Sequence, residues 1–287
     1  AGFVNALAGD SSGMTQSNLV QSDLQTVAPY SKYALAFDGA NDYINTAALS
    51  NFITNNVSVS AWVNFTTLPS GFNGSFLGPD NSFNEGVTFC SKNGVIRFAI
   101  EGSINSTPHF VENTVTLVAD QWYHFCGTWD GSTIELFTNG VSQGTFSYSG
   151  SITTTRVLQI GQVYNTGYNI HGKLSNIAIW NTGLSSAEVR EIYNQGLPSN
   201  LHNFSGTAPV AWWQLGENSS FVSNWICADE ISSNNGESNG MGVGALTNGV
   251  GTTANGTSTG MAVGALVGDA PYSTANAISS GMAVTAR

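Results

Sequence analysis

Carboxylates are scarce in this chain, 18 Asp and Glu among 287 residues, and acid–base chemistry needs them paired. Hydrolysis of a glycosidic bond with retention sets two carboxyl groups about 5 Å apart. The simplest arrangement puts them on one strand, where alternate residues face one cleft. No such pattern is read here. Glu188 and Glu191 are three apart but lie in a helical pattern, and Glu101 and Glu135 stand alone. Asp229 and Glu230 are adjacent, so a strand would turn them to opposite faces. His109, His124, His171 and His202 make no metal-ligand spacing. His124, between Tyr123 and Phe125, reads as a strand residue. Neither a nucleophile elbow nor a phosphate loop is read. The expectation is a chain without catalytic residues.

Binding chemistry is easier to place. In "FDGANDYI" (37–44) Asp38-Gly39 and Asn41-Asp42 each suit a tight turn, because Asp and Asn bond their own backbone and Gly supplies positive φ. The same oxygens suit a hard cation such as Ca2+, with Asp38 as the ligand. "VYNTGYNIHG" (163–172) sets Tyr164, Asn165, Tyr168, Asn169 and His171 close together. Aromatic faces among neutral hydrogen-bonding groups are what a carbohydrate site requires. "PSGFNGSFLGPDNSFNEG" (69–86) offers Phe72, Phe76 and Phe83 as a second candidate. For both loops the alternative is ordinary packing beneath a long connection.

The remaining composition narrows the classes. Charged residues make up 9% of the chain, against roughly 25% in ordinary soluble proteins. Neutral Asn, Ser, Thr and Gly must therefore keep it in water. The net charge is −11, with 7 basic residues and no cluster of them. Nucleic-acid binding is excluded on that ground, since phosphate backbones need grouped Lys and Arg. No apolar run of about 18 residues is present for a membrane-spanning helix, so membrane insertion is not expected. Cys90, Cys126 and Cys227 follow no metal or disulfide framework. Cys90 and Cys126 read as small core residues, and a bridge between them stays open.

Positioning these residues calls for strands. "VSVSAWVNF" (57–65) alternates with period two, Val57, Val59, Ala61 and Val63 facing one way and Trp62 with the serines the other. Further short runs follow, punctuated by Lys92-Asn93-Gly94, Asp130-Gly131 and Asn139-Gly140. Asn-Gly between alternating runs predicts a hairpin. Many short strands at regular spacing predict an all-β, two-sheet antiparallel sandwich. One helix is predicted at 186–195, where Ser185 and Glu188 form a capping box and Gly196 and Pro198 stop it. The sequence divides into an extended arm at 1–31, the sandwich at 32–200, and a strand plus a repeat-containing arm at 201–287. "SNGMGVGALTNG" (238–249) recurs as "STGMAVGALVGD" (258–269), "SSGMAV" (279–284) begins a further copy, and "SSGM" stands at 11–14.

"ALAFDGANDYINT", "SVSAWVNF", "WYHFCGTWDGSTIELFTNGV" and "GKLSNIAIWNTGLSSAEVREIYNQG" occur in that order. Together they resemble the concanavalin A-like lectin/glucanase superfamily, in its laminin-G-like jelly-roll branch, over residues 32–197. The resemblance implies two sheets packed face to face, with the helix lying against them. It also implies calcium near the Asp38 turn, with a partner carboxylate from the strand that reads Gly172-Lys173-Leu174-Ser175-Asn176 here. That carboxylate is missing, and Asn176 offers an amide oxygen in its place. The Gly/Asn-rich flanks resemble structural proteins of marine tailed phages. That resemblance implies a non-catalytic surface-decoration, fibre or host-adhesion protein on a virion or in another extracellular assembly. Its partners would be neighbouring copies or other virion proteins, met through the arms, and surface glycans, in a homo-oligomer. A secreted lectin acting alone is the alternative, with a glycan-degrading enzyme behind it.

Overall fold

The computed structural model describes residues 30–250 except 54, 72–73, 81–84, 102–108 and 165–167, together with two strands at 253–256 and 274–277. The strands in chain order are β1 (Tyr33–Asp38), β2 (Tyr43–Ala48), β3 (Val57–Phe65), β4 (Leu77–Pro79), β5 (Val87–Lys92), β6 (Val95–Ile100) and β7 (Phe110–Glu112). They continue as β8 (Trp122–Trp129), β9 (Thr133–Thr138), β10 (Val141–Ser147), β11 (Val157–Ile160), β12 (Gln162–Val163), β13 (Tyr168–Asn169) and β14 (His171–Trp180). After helix α1 (Ser186–Tyr193) come β15 (Ala211–Trp213), β16 (Ser220–Phe221), β17 (Trp225–Cys227), β18 (Gly236–Asn239), β19 (Leu246–Asn248), β20 (Thr253–Gly256) and β21 (Thr274–Ala277).

Two antiparallel sheets form the sandwich. One runs β10-β9-β8-β3-β14-β1-β19, with β15 also pairing β14, and the other runs β16-β17-β18-β2-β11-β4-β5-β6-β7. The predicted turn chemistry is present. Asn93-Gly94 joins β5 to β6 with φ of +54° and +87°, and Asn139-Gly140 joins β9 to β10 with +51° and +75°. Positive φ at both turn residues matches the right-handed twist of the flanking strands.

The main core lies between the sheets. Phe65, Phe76, Phe89, Phe98 and Phe125 pack there with ring centroids 4.9 to 6.4 Å apart. Aromatic pairs at such distances add about 0.5–1.5 kcal/mol each beyond their buried area. Val57, Val59, Ala61, Val63 and Phe65 supply the β3 side of this core. The opposite face of β3 is buried too. α1 and the segment after it cover the eight-stranded sheet with a second core that includes Phe137, Trp180, Val189, Ile192 and Trp212.

α1 begins as predicted. Glu188 N–H donates to Ser185 Oγ, and the Glu188 carboxylate accepts the Ser185 N–H at 2.7 Å. The helix ends at Tyr193, two residues short of the expected 195, because Asn194 takes the left-handed conformation at φ +46°. An amide side chain tolerates that conformation better than most.

The compact unit runs from Tyr30 to Val250, so the sandwich does not stop at residue 200. β15 joins the eight-stranded sheet, β16 to β18 extend the nine-stranded one, and β19 forms an edge. β15 is the strand expected in the C-terminal segment and lies within "APVAWWQLGE" (208–217). The strands after it carry Gly, Asn and Ser, which show no hydrophobic period. In the separate unit, β20 and β21 pair in parallel, Thr253 with Thr274 and Asn255 with Asn276. The arm at 1–29 and the repeat residues 257–273 and 278–287 lie outside the described residues.

Cys90, Cys126 and Cys227 are free and buried. Cys90 lies on β5 of one sheet, while Cys126 lies on β8 of the other and packs beneath α1. Burial pushes the thiols of Cys90 and Cys227 up to about 12 and that of Cys126 higher still.

Candidate functional site

The Asp38 turn is built by its own side chains. Asp38 Oδ1 accepts the N–H groups of Ala40 at 2.8 Å and Asn41 at 3.2 Å, and Asp42 Oδ2 accepts the Asp38 N–H at 2.9 Å. Gly39 sits at φ +78°, and an added Cβ would lie 2.8 Å from His171 Cβ. The close approach follows from register, since Asp38 stands opposite His171 between β1 and β14. His171 Nδ1 is 2.8 Å from Thr67 Oγ1. The Asn169 amide reaches the same turn, its Nδ2 donating to Ala40 O, while its Oδ1 is buried without a donor.

Three expected residues therefore gather at one end of the sandwich: Asp38, Asn169 and His171. A cavity of about 360 Å³ opens beside Asp38 and His171, with Phe37, Asp42, Thr66 and Lys173 also on its wall, while Asn169 is buried and holds the turn. Carboxylate, imidazole, hydroxyl and ammonium groups around one open cavity offer both donors and acceptors. Burial is the largest influence on Asp42 and raises its carboxyl above the ordinary value. The Asp38 N–H opposes that shift and the Asp38 charge adds to it.

The other expected residues are placed differently. Tyr168 precedes Asn169 on β13, so its side chain points to the opposite face. Tyr164 is held at φ +66° by its N–H bond to Pro79 O at 3.1 Å. Val163, beside it, packs on Gly78 of β4, so the hairpin folds over the nine-stranded sheet. Asn165 lies outside the described residues, as do Phe72 and Phe83 of the other loop. Phe76 is a core residue and is not available to a ligand.

Asp38 and Asn176 do not share a coordination sphere. Asn176 stands five residues along β14 from His171, about 16 Å at the usual rise of a strand. It is the extra residue of a β-bulge, at φ +49°. Its Oδ1 accepts the Trp212 indole N–H at 3.2 Å, and its Nδ2 donates to Ser175 Oγ at 2.8 Å. Among the described residues no group of three or more His, Cys, Asp or Glu could hold a metal ion. Asp38 and Asn176, the two expected calcium ligands, therefore do not meet at one ion.

Of the six carboxylates weighed for catalysis, four accept backbone N–H groups, while Glu135 and Glu230 accept the Ser142 hydroxyl and the Asn218 amide. Asp229 Oδ1 accepts Trp212 N–H at 2.9 Å, Glu101 Oε1 accepts Gly86 N–H at 2.7 Å, and Glu191 Oε1 accepts Ser205 N–H at 2.8 Å. The letters G-x-S-x-G do occur at 236–240, a pattern the sequence reading passed over. Ser238 lies within β18 opposite Ile44, not on a strand-to-helix turn, and its Oγ accepts the Trp225 N–H at 2.8 Å.

The profile of the family Laminin_G_3, of the concanavalin A-like lectin/glucanases superfamily, matches residues 38–190. The chain belongs to this family. Its fold is similar to that of a Bacteroides ovatus protein proposed to bind carbohydrate, at 14% identity and a TM-score of 0.58, covering 78% of this chain and 60% of that one. The chain thus spans about 60% of the length of that relative. It is also similar to a heptameric SAP-like pentraxin from Limulus polyphemus, at 15% identity and a TM-score of 0.50, covering 78% of this chain and 97% of that one. No curated protein matches the sequence. As a member of Laminin_G_3, the chain carries a lectin-like jelly roll. No helix among the described residues is long and apolar enough to cross a membrane.

Proposed function

We propose that this chain is a non-catalytic glycan-binding structural protein, a surface-decoration, fibre or adhesion component of a virion or other extracellular assembly. The observation that carries the binding half is the open cavity that Asp38 and His171 line on a lectin-like sandwich, with Asn169 holding their turn. The adjoining hairpin supports it. Tyr164 is a bulky residue held at positive φ, a strained conformation of the kind that concentrates at binding sites. The non-catalytic half rests on carboxylates committed to backbone N–H groups. The assembly half rests on the repeated Gly/Asn-rich arms.

A secreted lectin acting alone is the second reading. The site residues all fall within the single compact unit Tyr30–Val250, so binding does not require the arms.

Binding to a glycan array and retention on a polysaccharide column test the proposal. His171→Ala and Lys173→Ala, both on the cavity wall, abolish retention with the melting temperature unchanged. Parallel columns run with calcium and with chelator show whether a cation takes part in retention. Retention that survives both substitutions would remove the site. Release of reducing ends from a bound polysaccharide would remove the non-catalytic assignment.

A further inference from the structure

The repeat has one copy whose docking is described. At 236–241 it reads Gly-Glu-Ser-Asn-Gly-Met, and each alternate position answers a packing demand. A Cβ at Gly236 would lie 2.6 Å from Ile44 Cγ2. Ser238 is buried opposite Ile44 and accepts the Trp225 N–H. Gly240 sits at φ +79°, where a Cβ would lie 2.6 Å from Asn41 O. Met241 is buried in the main core. Glu237 and Asn239 between them are exposed.

The demanded residues recur, and the exposed ones vary. Residues 256–261 read Gly-Thr-Ser-Thr-Gly-Met, and residues 9–14 read Gly-Asp-Ser-Ser-Gly-Met. The chain has four methionines, Met14, Met241, Met261 and Met282, and each follows a glycine in this pattern. A further copy, at 277–282, keeps Ser279, Gly281 and Met282 but opens on Ala277. The match is to the strand and its Met rather than to the whole repeat. Gly249, where a Cβ would lie 2.5 Å from Tyr33 O, corresponds to Asp269. One chain therefore holds three full-pattern donors, and β2 with the Met241 pocket forms the acceptor.

We infer that segment 256–261 of one chain takes the place of β18 on β2 of a second copy of this chain. β18 lies between β17 and β2, so the exchange replaces its two antiparallel pairings and one buried Met with their equivalents. Swapping of like elements has a low energetic cost and is driven by protein concentration. Surplus donors can then link sandwiches into an oligomer.

Register makes the test concrete. Glu237 stands opposite Asn45, and Thr257 is its counterpart in the second copy of the repeat. Full-length N45C and T257C chains carrying tags of different mass are mixed at high concentration and oxidised. A single chain with N45C and E237C shows that the register closes a bridge. The inference expects a covalent N45C–T257C heterodimer. Met241→Asp, which weakens the resident copy, raises its yield, and Met261→Asp lowers it by about tenfold or more, as loss of a buried Met should. A closed N45C/E237C control with no bridge between chains would overturn the inference, as would yields indifferent to both Met substitutions. A bridge closing within one N45C/T257C monomer, and none between chains, would also overturn it.

Discussion

His124 Nε2 lies 2.8 Å from Ser60 Oγ, across the pairing of β8 with β3, and both residues are buried. Trp62 and Tyr193 pack on the imidazole, with ring centroids 5.1 and 5.9 Å away. A serine beside a histidine suggests a nucleophile, but this pair sits under the helix with no access for a substrate. Burial instead lowers the His124 pKa to about 3 and keeps the ring neutral.

That pair makes stability depend on pH. The unfolded chain takes up a proton near pH 6.5 that the folded chain refuses until about 3. The contribution is fully present above 6.5 and is lost as pH falls through this window. The expected slope is about 1.4 kcal/mol per pH unit. Urea unfolding at pH 7, 6 and 5 shows falling stability, and His124→Gln flattens the trend. Equal stabilities at pH 7 and 5 in the parent chain would refute this.

Gly127 on β8 faces Phe98 on β6 of the opposing sheet, and an added Cβ would lie 2.1 Å from the ring. Gly127→Ala should cost about 1–3 kcal/mol by overpacking. Shrinking the ring should relieve it. In a double-mutant cycle, Phe98→Leu is expected to cost less in the Gly127→Ala background than alone. Additive effects would mean that the sheets separate freely at this point.

Asp42 carries the opposite sign from His124. Its raised carboxyl pKa means that folding disfavours the ionised form. The penalty is absent below about 3.8 and grows as pH rises through that value. Asp42→Asn keeps an oxygen for the Asp38 N–H and removes the charge. The variant should melt above the parent at pH 7 and level with it at pH 3. A lower melting temperature at pH 7 would show that the charge itself holds the turn.

Much of this was legible in local pattern. The alternation of Val57 to Phe65, the two Asn-Gly hairpins and the Ser185–Glu188 capping box depend on neighbours in sequence, and each appears where its chemistry points. The Asp38 turn was legible for the same reason. Asn169 and His171 were legible as residues but not as neighbours of Asp38. That contact comes from the register of β1 on β14, which pairs residues more than 130 positions apart.

By itself the sequence determined the sandwich, the helix start, the turn types and the shortage of paired carboxylates. These follow from side-chain period, backbone φ preference and composition, all properties of short segments. Tertiary structure decided the rest. It buried the serine face of β3 beneath α1, spent Asn176 on a bulge and split the tyrosines of the hairpin from its Asn and His. It also recruited residues 211–250, whose small polar side chains carry no hydrophobic period. Those strands are recognisable only once β2 and β14 present edges with unpaired backbone groups for them to satisfy.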